Sequence, residues 1–163
     1  MIKVICVGKI KERYLVEGIN DYIRRLSKYT KLKIIEVESF EYDDISRNLK
    51  EESNGIIKYI DPKEHIIILD TNGTELSSKE FSNKIYNILS NKNITFVIGG
   101  SNGVDNLLKN MSNDILSFSK FTFPHQLFRL VFFEQLYRAF KIINNETYHK
   151  WGVKCLEIVG IKF

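Results

Sequence analysis

The sequence has 163 residues, 44% of them hydrophobic and 27% charged, which is typical of one globular domain with a single sizeable core. No apolar stretch is long enough to cross a bilayer, and the first residues lack the features of a signal peptide. The formal net charge is +4, and the two cysteines, Cys6 and Cys155, show no metal-binding spacing, so we expect a reducing compartment, the cytoplasm.

The charge is unevenly distributed along the chain. Residues 1–33 carry nine Lys or Arg against three Asp or Glu, residues 119–163 carry seven against three, and residues 34–118 carry eight against fourteen. If the two ends fold together, they form a basic surface that attracts polyanions. The alternative is that these charges intermix on solvated helix faces, and charge alone does not decide between the two.

Short apolar strands alternate with helical patterns along the chain. The predicted strands are Ile2–Val7, Leu32–Val37, His65–Leu69, Ile94–Ile98 and Ile115–Phe118, and the predicted helices are Tyr14–Tyr29, a segment within 39–60, Ser77–Ser90 and His125–Asn144. Unbroken aliphatic strands are typical of a parallel sheet that is covered on both faces. The alternation therefore predicts an α/β fold, and no linker or repeat divides residues 1–163 into separate domains.

Two of the helices carry more specific signals. In the segment 39–60 we expect core contacts from Ile45, Leu49, Ile56 and Tyr59, with a possible break at Asn54-Gly55. The third helix opens with Ser77 and Glu80, the spacing of a capping box, and Leu76 and Phe81 are placed as its hydrophobic staple.

Three polar or glycine-rich turns follow predicted strands. They are residues 70–75, the glycine loop Gly99–Gly103, and residues 119–124. In open α/β sheets, ligands bind just beyond the carboxyl ends of the strands, so these turns predict a shared ligand site. The alternative is that the glycines only turn the chain. Asp70 invites a catalytic interpretation, although an Asp at this position is more often a local backbone acceptor.

The last predicted helix, after Pro124, is apolar nearly all round. Such a helix must be buried on several sides, and a domain of this size hardly achieves that alone, so we predict a homodimer interface here. Within it lie Arg129, Glu134, Gln135 and Arg138. A buried Arg–Glu pair that fixes the interface and a catalytic pair are both open interpretations.

Four stretches together closely resemble the ribosomal RNA large subunit methyltransferase H family, which belongs to the SPOUT class of S-adenosylmethionine-dependent methyltransferases. They are residues 96–103 (FVIGGSNG), 116–125 (LSFSKFTFPH), 134–139 (EQLYRA) and 148–150 (YHK). The resemblance extends from Val7 to Lys150. It implies a parallel-sheet α/β/α SPOUT fold with a C-terminal trefoil knot, which sequence rules alone would not suggest because knots are nearly absent from proteins.

The resemblance further implies a homodimeric enzyme that methylates N3 of a pseudouridine in 23S rRNA within the assembled ribosome, with S-adenosyl-L-methionine as cofactor and without a metal or a membrane. Carried over residue by residue, the expected cofactor-binding set is Leu69, Gly99, Phe118, Ser119, Lys120, Phe121, Thr122 and Phe123. Backbone groups of such turns can bond an adenine edge while apolar side chains cover its faces.

The N3 proton of the pseudouridine must leave, so a base or an anion-stabilising group is expected. The candidates are His125, Arg129, Glu134, Arg138 and His149. We expect Arg129 and His149 as the catalytic pair, and Arg129 with Tyr148, His149 and Lys150 as RNA contacts that reach across the dimer. Residues 151–163 form an apolar extension that is atypical of the family, and we expect it to pack on the dimer or to occupy part of the RNA approach.

Two other functions remain open at this point. A non-catalytic protein that binds RNA or ribosomes could use the same fold, and a nucleotide-dependent oxidoreductase is disfavoured because the G-x-G-x-x-G fingerprint is missing. Basic residues of the N-terminal segment would contact phosphates, which predicts salt-sensitive binding to RNA.

Overall fold

A computed structural model of the chain describes residues 1–148. Its elements are β1 (Ile2–Val7), α1 (Arg13–Leu26), β2 (Leu32–Val37), α2 (Ile45–Ile57), β3 (His65–Glu75), α3 (Ser78–Leu89), β4 (Ile94–Ile98), α4 (Asn106–Met111), β5 (Asp114–Ser117) and α5 (His125–Ile143). The five strands form one parallel sheet in the order β2-β1-β4-β3-β5. The predicted parallel α/β sheet is confirmed.

Helices cover both faces of the sheet and give two apolar cores. Because side chains alternate along a strand, Val4 and Cys6 of β1 join the core under α1, α3 and α5, whereas Ile5 and Val7 join the core under α2 and α4. All six residues of β1 and all five of β4 are buried, including Lys3 and Thr95, whose side chains both donate to Oε2 of Glu64. Ser77 and Glu80 form the predicted capping box at the start of α3.

Two of the core contacts predicted in the segment 39–60 are wrong. Ile45 and Tyr59 are 57% and 46% exposed, because the buried stripe of the helix runs through Asn48, Glu52 and Ile56 instead. Two of these three residues are polar, which is why hydropathy periodicity did not find the stripe. The helix also continues through Asn54-Gly55, where an added Cβ at Gly55 would lie at an ordinary 3.5 Å from Cβ of Val37.

The predicted loop at residues 70–75 belongs to β3. β5 pairs with β3 twice, since Leu116 is the register partner of both Leu69 and Thr74. A Cβ at Gly73 would lie 2.5 Å from the backbone carbon of Leu116, so the backbones of β3 and β5 touch and only glycine fits there. The turn-like composition of this segment reflects its exposure to solvent, because polar residues also serve an exposed strand end.

Helix α5 packs between α1 and α3 over the centre of the sheet. Phe132, Phe133, Leu136 and Phe140 are buried, and the Phe132 ring meets Phe96 of β4 edge to face at 4.9 Å between ring centroids. The burial of α5 on several sides thus comes largely from its own chain. The homodimer interface and the trefoil knot stay predictions, and residues 151–163 lie outside the described residues.

Candidate functional site: a cleft at the carboxyl edge of the sheet

The polar second half of β3 and the turns after β4 and β5 line one cleft of about 360 Å³. Of the eight residues expected to bind a cofactor, seven line it: Leu69, Gly99, Phe118, Ser119, Phe121, Thr122 and Phe123. The volume lies within the range of about 300–1,000 Å³ that is usual for small-molecule sites. Lys120 is the exception, because its ammonium turns outward to Glu75 at 3.6 Å and to the carbonyl of Thr71 at 3.4 Å.

The glycine loop lines the cleft with backbone that carries few side chains. A Cβ at Gly99 would lie 2.7 Å from the carbonyl carbon of Gly103 and 2.7 Å from Cγ2 of Val104, so the two arms of the loop are in backbone contact. The N–H of Gly103 donates to the carbonyl of Gly100 at 3.1 Å, and Gly103 has a φ of +83°. This tight turn leaves the exposed Ser101 and Asn102 at its tip, and both residues line the cleft.

Aromatic side chains form the apolar wall of the cleft. The Phe118 ring meets Phe81 at 5.4 Å and Phe128 at 5.6 Å between centroids, both edge to face, and Phe123 stacks on Phe128 at 6.2 Å. Phe121 stands at the rim and is 79% exposed. A wall of aromatic faces beside a glycine-rich backbone loop suits a planar heterocycle that carries polar edges.

Asp70 and Lys109, which sequence reasoning did not place together, form an ion pair on the cleft. Lys109 Nζ lies 2.7 Å from Asp70 Oδ2, and Asp70 Oδ1 accepts from the amide of Asn72 at 2.9 Å. The interpretation of Asp70 as a local backbone acceptor is confirmed. Burial raises the pKa of Asp70, but the hydrogen bonds from Lys109 and Asn72 and the charge of Lys109 outweigh it, so the pKa is lowered overall.

We expect the variant Asp70→Asn to be less stable at pH 7 by about 1–2 kcal/mol, because Lys109 loses a charged acceptor. A lowered folded-state pKa means that the stabilisation by Asp70 is complete above the unfolded pKa of about 3.9 and is lost as the pH falls through the folded value. The free energy of unfolding of wild type should therefore fall more between pH 6 and pH 3 than that of the variant. The measurement is the free energy of unfolding in urea at several pH values. If it depends on pH in the same way for wild type and Asp70→Asn, the prediction is contradicted.

Arg129 lies beneath the cleft rather than at its surface. Its side chain is 2% exposed, and its guanidinium donates to the carbonyl of Val7, to the carbonyl of Gly8 at 2.7 Å and to Glu36 Oε1 at 3.0 Å. Arg129 Nε has no hydrogen-bond partner among residues 1–148. The catalytic and RNA-contacting roles stay predictions, and in this geometry they would require the guanidinium to leave three acceptors.

His125 is the one residue among the proposed proton-handling candidates within 1–148 that lines the cleft. Burial lowers the pKa of His125, and the positive charge of Arg129 lowers it further. The imidazole is therefore neutral at pH 7 and able to accept a proton.

Glu134, Arg138 and Tyr148 form a second cluster at the other end of α5. Arg138 Nη2 lies 2.6 Å from Glu134 Oε1, and the Tyr148 hydroxyl donates to the same oxygen at 3.2 Å. The 13 residues between His125 and Arg138 correspond to about 20 Å of helix. This cluster is thus far from the cleft of its own chain, and His149 and Lys150, predicted to work with Tyr148, lie outside the described residues.

A family model described as "Predicted SPOUT methyltransferase" matches residues 1–149. The chain belongs to the SPOUT methyltransferase family. Its curated relatives include proteins named Ribosomal RNA large subunit methyltransferase H. The one from Caldicellulosiruptor saccharolyticus is 47% identical over 154 residues, covering 92% of this chain and 100% of the relative. The one from Enterococcus faecalis is 43% identical over 157 residues, covering 91% of this chain and 99% of the relative.

Solved structures agree with the SPOUT assignment at the level of the fold. The tRNA (m1G37) methyltransferase of Aquifex aeolicus has a TM-score of 0.54 at 13% identity and covers 93% of this chain and 75% of its own. A probable methylase family protein of Haemophilus influenzae has a TM-score of 0.52 at 16% identity and covers 88% of this chain and 66% of its own. The resemblance to the methyltransferase H family and the SPOUT fold class are confirmed.

Two structural features are absent from residues 1–148 of this SPOUT chain. No group of three or more His, Cys, Asp or Glu side chains there is placed to hold a metal ion. No helix in the same range is both long and apolar enough to cross a membrane.

Proposed function

We propose that this chain transfers the methyl group of S-adenosylmethionine to N3 of a pseudouridine in the 23S rRNA of the assembled large ribosomal subunit. The observation that carries the proposal is the convergence of the segments after Leu69, Ile98 and Phe118 on one cleft. The names of relatives that match nearly the whole chain support the substrate class. We place the reaction in the cytoplasm.

The residues of the cleft fit the cofactor. The glycine loop offers backbone groups for the polar edge of the adenine, and Phe118, Phe123 and Leu69 offer apolar surface for its faces. S-adenosylmethionine supplies a methyl group already activated on a sulfonium. The protein must therefore mainly hold donor and acceptor in line and exclude water, and positioning of this kind supplies much of the rate.

We assign the N3 proton to His125. The neutral imidazole on the cleft would accept that proton as the methyl group passes from the sulfonium sulfur to N3, with the S–CH3 bond breaking and S-adenosylhomocysteine leaving, and the imidazolium would then release the proton to solvent. Arg129 would stabilise the negative charge that develops on the nucleobase once its guanidinium has turned from Glu36 and the carbonyls of Val7 and Gly8 towards the cleft.

The exposed residues Lys9, Lys11 and Arg13 follow β1 beside the cleft. The amide of Lys11 donates to Oε1 of Gln126 at 2.9 Å, which ties this segment to the start of α5 next to His125. We propose that these side chains contact rRNA phosphates, that the chain acts as a homodimer through α5, and that residues 148–150 reach the cleft of the partner subunit.

The test combines cofactor binding with product mapping. We expect calorimetry to show S-adenosylmethionine binding, and methyl transfer to purified ribosomes to give N3-methylated pseudouridine when the modified nucleoside is mapped, with free 23S rRNA as the comparison substrate. Binding to ribosomes without cofactor binding would favour a non-catalytic role. A rise in melting temperature with NAD(H) but not with S-adenosylmethionine would favour an oxidoreductase.

A further inference from the structure

Glu52 is a buried carboxylate with one unused oxygen. It lies on α2, is 5% exposed, and its Oε1 accepts from the amide of Phe40 at 3.2 Å. Its Oε2 accepts no hydrogen bond from any residue in the described part of the chain. Burial raises the pKa of Glu52, which the single bond from Phe40 only partly offsets. Such an acceptor is costly to a fold unless another state of the molecule uses it.

The unused oxygen faces the glycine loop. A Cβ at Gly100 would lie 3.1 Å from Glu52 Oε2, 3.2 Å from Oε1 and 3.1 Å from Cγ1 of Val7. Gly100 also lines the cleft and, through its carbonyl, closes the tight turn with Gly103. A single residue of backbone therefore separates the Glu52 carboxylate from the space where a cofactor would lie.

Helix α2 holds Glu52 at a junction of two loops. Four residues before it, Asn48 accepts from the amide of Tyr42 at 2.8 Å and donates to the carbonyl of Tyr42 at 2.8 Å. Together with the bond from Phe40 to Glu52, these contacts fasten the segment after β2 onto α2. Glu52 is thus held from one side by the segment after β2 and touches the loop after β4 on the other.

We propose that Glu52 is a positioning residue for the glycine loop: its Oε2 accepts the backbone N–H of Ser101 when S-adenosylmethionine occupies the cleft, since the N–H of Gly100 is already engaged in the bridge with Gly103. The carboxylate thereby fixes the loop against the cofactor from behind, without touching the cofactor. This inference rests on the proposed function and adds to it a residue outside the cleft.

Glu52→Gln separates this role from simple packing. The amide has the same shape, but it has one acceptor oxygen and cannot accept both from Phe40 and from the glycine loop. At pH 8 we expect the Glu52→Gln protein to be more stable than wild type and to melt at a higher temperature, because the substitution removes a buried charge that has too few partners. We also expect Kd and KM for S-adenosylmethionine to rise about tenfold, because the variant loses one hydrogen bond to a charged group. The kcat at saturating cofactor should change less than about twofold. Glu51→Gln, exposed on the same helix, is the matched control and should change neither quantity.

The outcomes are distinct. A raised melting temperature together with weaker cofactor binding in Glu52→Gln supports the inference. Unchanged binding overturns it, and so does a variant that is less stable or fails to fold, since Glu52 would then serve the fold alone. If wild type itself does not bind S-adenosylmethionine in calorimetry, the proposed function fails first, which differs from failure of the variant alone.

Discussion

Replacing Gly99 with alanine is expected to weaken S-adenosylmethionine binding by about 100-fold or more. The new Cβ would overlap the carbonyl group of Gly103 and lie 2.7 Å from Cγ2 of Val104, so the two arms of the glycine loop must separate. Backbone cannot yield as a flexible side chain does, and a displacement of about 1 Å in a site can cost about 100-fold in rate. Methyl transfer should fall at least as far as binding.

Gly55→Ala is the matched control for this experiment. Gly55 lies inside α2, and its added Cβ would meet Val37 at an ordinary 3.5 Å. Alanine in a helix interior is favoured over glycine by about 0.5–1 kcal/mol, so this variant should bind the cofactor normally and melt no lower than wild type. Isothermal titration calorimetry on both variants makes the comparison. A Gly99→Ala protein that binds as wild type would remove the glycine loop from the site.

Replacing Arg129 with methionine is expected to destabilise the protein by about 3–5 kcal/mol. Methionine keeps an apolar stem of similar length, but the carbonyls of Val7 and Gly8 lose their donors and Glu36 loses its partner. For a domain of this size the melting temperature should fall by about 6–20 °C. Arg129→Lys should recover only part of this loss, since an ammonium cannot reproduce the fork of the guanidinium.

Arg13→Met is the control for the loss of an arginine. Its side chain is 91% exposed and pairs with Glu17 across one turn of α1, an arrangement that contributes little to stability. Thermal melting monitored by circular dichroism should place this variant within about 1 °C of wild type. A contrary outcome would be an Arg129→Met protein that melts like wild type but no longer methylates ribosomes. Arg129 would then be a substrate contact, as expected in the sequence analysis, and its side chain would leave its buried position when the enzyme acts.

Hydropathy predicted the strands of this sheet well. The strands Ile2–Val7, Leu32–Val37 and Ile94–Ile98 have the predicted bounds. The first and the last of these are buried throughout, and a mainly apolar run between turn residues is typical of such a strand. The prediction failed at Asp70–Glu75 and on α2. There polar residues occupy positions that a core would normally fill, since Gly73 serves backbone contact and Asn48 serves a loop.

The position of the site was predictable from the carboxyl ends of the strands. The rule that ligands bind beyond parallel strands brought Leu69, Gly99 and Phe118 together. Contacts between residues distant in sequence were not predictable from one sequence. Three such contacts depend on how the helices pack on the sheet. They are the ion pair of Asp70 with Lys109, the hydrogen bonds from Arg129 to the backbone at the end of β1, and the contact of the Glu52 carboxylate with Gly100.

The strand order also constrains how the chain can fold during synthesis. β1 lies beside β4, and the register partner of Ile2 is Ile94. Ile94 is synthesised 92 residues after Ile2, so the two strands cannot pair before then. At about 5–20 residues per second, that interval is about 5–20 s. Until then only the β1–β2 pair can form, with an apolar edge left open, and long-range parallel pairing of this kind is slow. Nascent chains should therefore need protection from aggregation until α5 closes over the sheet.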